Sequence, residues 1–550
     1  MHTNTGWFFF ILALICLIGF GIDVMDIDAA QYASMSREMM QSGHYLQVYD
    51  IGQEYLDKPP FLFWISAISM KLFGVNNFAY RLPSFLFAIL AVYSTYRLGC
   101  LLYNKKIAVL AALVLASCQG FFLMTHDVRT DTILMGWVIF SIWQLAIWFR
   151  TDQLLPFILG CAGIAGGMMT KGPIALLVPV FAFGSHFVLK RDFRQFFRWQ
   201  YLMGIVIIAL LLLPMCIGLY RQFDLHPEKL VNGKTGVSGL RFYFWTQSFG
   251  RITGESTWNN NSNIFFLLQN MLWSFLPWIL FFLVALFLNI RDIIRQRFTL
   301  PNNQEAITTG GFIVTYLSLG LSKYQLPHYI FVVFPLAAII TARFLHGLLY
   351  EKKYRKLYSF LLSFHFIVFI LLWMALIALL VIPFNTIPLY VPVIAGLLLT
   401  GLLFLFLKNR QSSLRLIMIS LYTMVGLNLF LNSAFYPSLL RYQAGSTAGR
   451  WINDHKIPAD KTFLYQYHVW RSLHFYAKGI IRHKDSLQDM KPGDYILTED
   501  SKLPDFANRQ IAYEVLHKGI DYPVSRLSLK FLNPAKREKQ LKHYVFIKIK

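Results

Sequence analysis

The sequence predicts an all-α polytopic membrane protein, with about thirteen transmembrane helices, followed by a small C-terminal α/β domain. Three observations predict it. Of the 550 residues, 56% are hydrophobic and the mean hydropathy is +0.49, more apolar surface than a soluble chain of this size could bury. Apolar runs of helix length recur up to residue 436. Beyond Pro437 the composition becomes that of a soluble domain.

The apolar runs span 7–24, 83–102, 106–124, 132–149, 154–170, 173–189, 202–220, 264–288, 306–321, 330–349, 358–382, 389–407 and 415–435. The first has no cationic stretch before it and no small-residue cleavage site after it, so it reads as a retained helix. Basic loops alternate with the others. Lys105 and Lys106, Lys190 and Arg191, Arg291 and Arg295, Lys352 and Lys353, and Lys408 all fall on one side. The positive-inside rule makes that side cytoplasmic. The N-terminus is then inside, and the loops 25–82, 125–131, 221–263 and 322–329 lie outside, with the tail.

Within the first external loop, Ala29 to Met40 has a helical pattern, and Phe61 to Phe73 reads as an interfacial helix. In the tail, a helix is expected at Ser446–His455. Strands are expected at Thr462–Tyr467, Asp494–Thr498, Ile511–Leu516 and His543–Ile549. Residues 1–436 and 437–550 are thus expected to be separate domains.

The net charge of +23 belongs to loops facing anionic lipid, not to a nucleic-acid site, because no basic module with interleaved aromatics is present. All five cysteines fall inside apolar segments, without metal-ligand spacing.

The unusual polar residues share the outer face. Asp26 and Asp28 leave the first helix, and Tyr32 follows Asp28 on the same helical face. Tyr55, Asp57 and Lys58 precede Pro59-Pro60, which stiffens the backbone behind the lysine. The second loop holds Arg129 and Asp131. The aspartate suits an ordinary helix start equally well, but an arginine at the interface wants a carboxylate or a phosphate. Lys171 lies between two apolar helices, where a lysine can also simply snorkel. Lys323, His328 and Tyr329 sit in the fourth loop, and Arg251 in the long third loop. A lone histidine such as His328 is more often a satisfied loop residue than a ligand.

Carboxylates beside clustered cations suit one reaction type. A carboxylate deprotonates a hydroxyl while cations hold a phosphate leaving group. A lipid-borne phosphate donor explains a site at the membrane edge. Soluble nucleotide donors are not indicated, since there is no P-loop, His-Glu-x-x-His or dinucleotide-binding glycine fingerprint.

These motifs resemble the polyprenyl-phosphate-dependent glycosyltransferases of the GT-C class, the superfamily of protein O-mannosyltransferases and the lipid A aminoarabinose transferases. Asp28-Ala-Ala-Gln-Tyr-Ala with Ser36-Arg-Glu-Met39 is similar to the family's Asp-Glu-x-Arg-Tyr-Ala and Arg-Glu-Met signature. Tyr55-Leu-Asp-Lys-Pro-Pro60 is similar to Tyr-x-Glu-Lys-Pro-Pro, and Asp28 precedes Lys58 by 30 residues, as in that family. Thr170-Lys-Gly-Pro173 and Leu326-Pro-His-Tyr329 match two further motifs in order.

The resemblance implies roles. Asp28 would be the essential carboxylate, and Asp131 the second acid. Lys58, Tyr32, Tyr55 and Tyr329, with Lys171 and Arg251, would surround the donor phosphate. Asp57, Arg129 and Lys323 would support them. Transfer would invert the anomeric carbon without a covalent intermediate. Partners would be a polyprenyl-phosphate sugar, membrane lipid, and an acceptor on lipid A, another glycolipid or glycan, or a protein. The implied location is the bacterial inner membrane with the tail in the periplasm.

The chain also departs from the pattern. Ala29 stands where the family has Glu, and Asp57 where it has Glu before Lys-Pro-Pro. Gln247 and Ser248 replace a Glu-His pair whose histidine serves a zinc site, so the resemblance does not extend to zinc and no cofactor is expected, with dependence on another divalent metal left open. A transporter or flippase of lipid-linked sugars is the alternative reading. It would place ionisable groups at mid-membrane on broken helices in paired halves, a pattern this sequence lacks.

Overall fold

The computed structural model describes residues 5–550 except 232, 254, 256–259, 261, 302–303, 352, 354, 385–388, 409–414 and 468–470. Every predicted apolar run carries helix within the described residues, though several are broken or frayed. Helix α1 (Thr5–Ile18) leads to α2 (Asp28–Ser42), a short hairpin β1–β2 (Tyr49–Asp50, Gln53–Glu54) and α3 (Phe61–Phe73). Then come α4 (Asn77–Leu102), α5 (Lys105–Ser117), α6 (Gln119–His126), α7 (Thr130–Thr151), α8 (Leu154–Lys171), α9 (Ile174–Lys190) and α10 (Gln200–Leu219). The segment 221–263 carries two helical turns, α11 (Gly239–Arg241) and α12 (Gly250–Thr253). Helices α13 (Phe266–Ser274), α14 (Ile279–Arg295), α15 (Ile307–Gly320), α16 (Phe334–Leu349), α17 (Arg355–Val381), α18 (Tyr390–Lys408) and α19 (Arg415–Phe430) complete the bundle, and α20 (Tyr436–Leu440) leaves it.

Helix length does not follow the predicted runs everywhere. Among the described residues, seven helical stretches are long and apolar enough to cross a membrane, or eight if α5 and α6, bent by 58°, form one span. The run 264–288 is likewise interrupted, as α13 and α14 flank Leu276-Pro277. Five more apolar helices are shorter.

Local chemistry sets the boundaries that matter for the site. Asn76 and Asn104 cap α4 and α5, accepting from the N–H groups of Ala79 (2.8 Å) and Ile107 (3.0 Å). Gly43 ends α2 in a left-handed conformation (φ 73°), its N–H returning to the Met39 carbonyl. Gly172 (φ 108°) turns the chain sharply between α8 and α9, leaving Lys171 as the last residue of α8.

The C-terminal region carries α21 (Ala444–Asp454), β3 (Thr462–Leu464), α22 (Arg471–Tyr476), β4 (Arg482–His483), β5 (Tyr495–Glu499), α23 (Leu503–Asn508), β6 (Tyr513–Asp521) and β7 (Lys542–Ile549). Two short turns, α24 (Leu529–Leu532) and α25 (Pro534–Arg537), connect β6 to β7. The sheet order is β4-β3-β5-β7-β6, with β4, β3 and β5 parallel and β7 antiparallel to both neighbours. Strand β7 is an inner strand, between β5 and β6, and Tyr544-Val-Phe-Ile547 is buried on both faces, which explains its unbroken apolar run. Strand β6 starts at Tyr513 and runs beyond the expected stretch, through a bulge between Val515 and His517.

This region is anchored to the segment between α1 and α2. The Asp26 carboxylate accepts from the Ser472 N–H (3.0 Å) and hydroxyl (2.6 Å). The amide of Gln443 brackets the same loop: it accepts from the Asp26 N–H (2.9 Å) and donates to the Val24 carbonyl (3.0 Å). Burial, opposed by the Ser472 bonds and reinforced by Asp521, raises the Asp26 carboxyl to a pKa of about 6 from 3.8. Folding therefore favours the neutral acid. That contribution is full below about pH 4 and lost as pH rises through 6, a difference of about 3 kcal/mol. Asp26→Asn is accordingly expected to raise the melting temperature of the detergent-solubilised protein at pH 8. The gain should shrink as pH falls towards 4.

Candidate active site

Five segments meet at one end of the bundle. Helix α2 presents Asp28 in its first turn, where a carboxylate is favoured by the helix dipole, and Tyr32 one turn later. The segment before α3 brings Tyr55, Asp57 and Lys58, with Pro60 at the helix start. Arg129 and Asp131 flank the start of α7, and Lys171 ends α8. His328 and Tyr329 enter on a 3₁₀ turn, Pro327–Val333, ahead of α16.

Together they line a cavity of about 910 Å³. Arg129 is its main clamp. Its Nη1 donates to Asp28 Oδ2 (2.6 Å) and its Nε to Asp127 Oδ2 (2.8 Å), so one guanidinium ties two loops together. Burial works against this charge, but Asp127 and Asp28 outweigh it and raise the Arg129 pKa. Asp131 is 1% exposed; its Oδ1 accepts from Lys171 Nζ, and its Oδ2 lies 3.6 Å from His328 Nε2. The Lys171 ammonium also sits 4.0 Å from the Tyr329 ring centroid, a cation–π contact. Burial first, and neighbouring phenol and carboxylate groups second, raise the pKa of Tyr32 and Tyr55 well above 10. Both hydroxyls stay protonated and available as donors.

A second cavity, of about 890 Å³, adjoins the first. Leu134, Ile174, Leu177, Leu319 and Val332 make it mainly apolar, and none of the three carboxylates of the polar cavity lines it. Lys58, Lys171 and Tyr329 line both. The two amines thus stand at the junction between a polar chamber and an apolar one.

Nine of the residues expected from sequence converge here: Asp28, Tyr32, Tyr55, Asp57, Lys58, Arg129, Asp131, Lys171 and Tyr329. Lys323 does not line the polar cavity. It is exposed, and its carbonyl accepts from the Asn260 N–H. The side chain of Arg251 lies outside the described residues.

Sequence reasoning passed over Gln31, which lines the cavity and donates to Asp50 Oδ2 (2.8 Å). Asp50 in turn accepts from Arg471 of α22 (2.9 Å), linking the C-terminal region to the chamber. It also missed Asp127, whose spacing of two from Arg129 was the available signal. Where the resemblance implies a zinc pair, the Gln247 amide instead donates to the Asp57 carbonyl, and Ser248 offers only a hydroxyl. This donor set does not fit zinc. Among the described residues, no three His, Cys, Asp or Glu side chains are grouped to hold a metal ion.

The comparisons with known proteins agree with the motif resemblance. Residues 57–217 match the family described as dolichyl-phosphate-mannose-protein mannosyltransferase. An undecaprenyl phosphate-alpha-4-amino-4-deoxy-L-arabinose arabinosyl transferase of Pseudomonas fluorescens is 30% identical over 261 residues, 46% of this chain and 43% of that one. Its counterpart in Erwinia tasmaniensis is 27% identical over 326 residues, 58% and 55% of the two chains. The chain therefore spans about half the length of the curated relatives it matches. ArnT from Cupriavidus metallidurans bound to undecaprenyl phosphate superposes with a TM-score of 0.72 at 16% identity, covering 99% of this chain and 98% of that one. The Archaeoglobus fulgidus oligosaccharyltransferase superposes with a TM-score of 0.51 at 12% identity, covering 91% and 70%. The chain shares the multi-pass membrane fold of these proteins.

The buried Asp131–Lys171 pair makes a measurable prediction. Asp131→Asn removes the carboxylate from beside the Lys171 amine and should cost about 3–5 kcal/mol in thermal unfolding. The double replacement Asp131→Leu with Lys171→Met should recover most of that stability.

Proposed function

We propose that this chain is an inverting glycosyltransferase. It moves a sugar from a polyprenyl phosphate to a hydroxyl of lipid A, of another glycolipid or glycan, or of a protein. The observation that carries the reading is the sharing of Lys58, Lys171 and Tyr329 between a polar and an apolar cavity. A lipid-linked sugar has the same division. Its isoprenoid tail suits the wall of Leu134, Ile174, Leu177, Leu319 and Val332, and its phosphate suits the two amines at the junction. The sugar then occupies the chamber that holds the carboxylates.

In this reading the acceptor hydroxyl approaches Asp28, which takes its proton as the new bond to the anomeric carbon forms. The bond from that carbon to the phosphate oxygen breaks in the same displacement, and the configuration inverts. The leaving polyprenyl phosphate gains negative charge, which Lys58, Lys171 and the protonated Tyr32 and Tyr55 hydroxyls stabilise. Arg129 holds Asp28 in place through Oδ2, while Oδ1 makes no hydrogen bond among the described residues. Asp131 positions Lys171 rather than meeting the acceptor, because it is 1% exposed and paired with that amine.

The names of the relatives, which are undecaprenyl-phosphate arabinosyl transferases, support this donor class, as does the ArnT fold seen with undecaprenyl phosphate. The alternation of basic loops supports a bacterial inner-membrane protein with the N-terminus in the cytoplasm and residues 437–550 in the periplasm as a separate domain. The active chamber then opens on the periplasmic side.

Membranes supplied with undecaprenyl phosphate carrying a radiolabelled sugar test the proposal. Wild type should transfer label to an acceptor. Asp28→Asn should lower kcat by about 10²–10⁴-fold with a smaller change in the donor KM. Lys58→Ala should weaken both donor binding and turnover. Full transfer by Asp28→Asn would contradict the mechanism, and movement of donor across proteoliposomes without bond formation would instead favour a flippase.

A further inference from the structure

A cleft of about 1390 Å³ separates α1 from α4 and α5. Leu12 and Cys16 of α1, Ala88 and Val92 of α4, and Ala112 and Ala116 of α5 form its walls. The small side chains on α4 and α5 leave the space that α1 does not fill. Helix α4 starts against α2, where the Tyr80 hydroxyl donates to the Ala29 carbonyl next to Asp28, and runs on for 26 residues, so the α4–α5 turn lies at the opposite face of the bundle. At that end the cleft is lined by Tyr93, Tyr96 and Lys105.

The chemistry of the two ends differs. Towards Cys16 and Phe121 every lining side chain is apolar. At the turn, Lys105 is exposed, Lys106 follows it, and Arg97 donates to the Tyr93 hydroxyl (2.8 Å). Among the described lining residues there is no carboxylate. Among the described residues Lys105 is the cation that lines this end of the cleft, since Lys106 lies over the Tyr350 ring and Arg97 over the Trp143 ring. The exposed Lys105 ammonium beside two tyrosines, at the end of an apolar cleft, complements a lipid with a negative headgroup.

We propose that this cleft holds one anionic phospholipid of the leaflet opposite the active chamber. Its acyl chains lie between α1 and the α4–α5 pair, and its phosphate meets Lys105 beside the tyrosine hydroxyls. The site is distinct from the donor site, whose amines Lys58 and Lys171 are at the other face, and it does not rest on the proposed reaction. Its occupant braces the helix that leads, through the turn Gly19–Gly21, to Asp28.

Native mass spectrometry of the full chain in mild detergent, with equimolar phosphatidylglycerol and phosphatidylcholine of identical acyl chains, provides the test. One phosphatidylglycerol should be retained in preference, by about fivefold, the effect of one engaged ammonium. Lys105→Glu should abolish the preference, whereas Lys71→Glu, at an exposed lysine elsewhere, should keep it. Val92→Trp fills the cleft and should lower retention of both lipids. Equal retention by wild type, or a preference that survives both Lys105→Glu and Val92→Trp, would overturn the proposal. Displacement of phosphatidylglycerol by undecaprenyl phosphate would overturn it too, assigning the cleft to the donor. A photoreactive phosphatidylglycerol on wild type covers the case of a misfolded variant: cross-links should fall on α1, α4 or α5, and cross-links confined elsewhere would reject the site.

Discussion

Charges at the edge of an apolar bundle must be paired, and here the pairing is what assembles the chamber. Arg129 binds Asp28 and Asp127 at once, so the start of α2 and the loop before α7 are held by one side chain. A guanidinium can do this because its donors lie in a fixed plane, where an ammonium would offer a point charge. Deeper in, Lys171 is shared between Asp131 and the face of Tyr329, which joins α7, α8 and the turn before α16. Charged groups in such a place are costly unless matched, and each of these is matched across elements distant in sequence. The geometry that satisfies them also leaves two amines facing the apolar neighbour of the chamber.

Much of the chamber was legible because the chain alternates between two membrane faces. Counting apolar runs and basic loops put Asp28, Lys58, Asp131 and Tyr329 on one face, and the structure brings their side chains to one cavity. The apolar cavity was not legible. Leu134, Ile174, Leu177, Leu319 and Val332 come from four elements, and nothing in their local patterns sets them apart from other bundle residues. The clamp on Asp127 and the Asp50–Arg471 pair were hidden for a different reason: ion pairs depend on side-chain reach, and the second spans 421 residues. Lys323 shows the converse, since a loop lysine of suitable spacing need not turn inward. Helix ends were read less well where apolar stretches continue through a break, as at Cys118 and at Leu276-Pro277. In the tail, β4 has only two residues, too few for any pattern.

The C-terminal region does more than follow the bundle. Ser472 and Gln443 fix Asp26, and Arg471 reaches Asp50, which holds Gln31 at the cavity wall. Both contacts bear on the loop that carries Asp28. The same loop is secured from below by Arg81, which is buried and donates to the carbonyls of Phe20, Ile22, Asp23 and His126. The segment between α1 and α2 is thus gripped by the bundle on one side and by the sheet region on the other. The fold shared with ArnT at 16% identity includes this arrangement of bundle and C-terminal region, since the superposition covers 99% of the chain.

The account stands on a phosphate site at the junction of the two cavities. A cryo-EM structure of the protein with undecaprenyl phosphate would examine it directly. The account predicts phosphate density between the Lys58 and Lys171 amines, with the isoprenoid running past Leu134, Ile174 and Val332 and the chamber of Asp28 open to the sugar side. Phosphate density remote from both amines, or at the opposite face of the bundle, would contradict it.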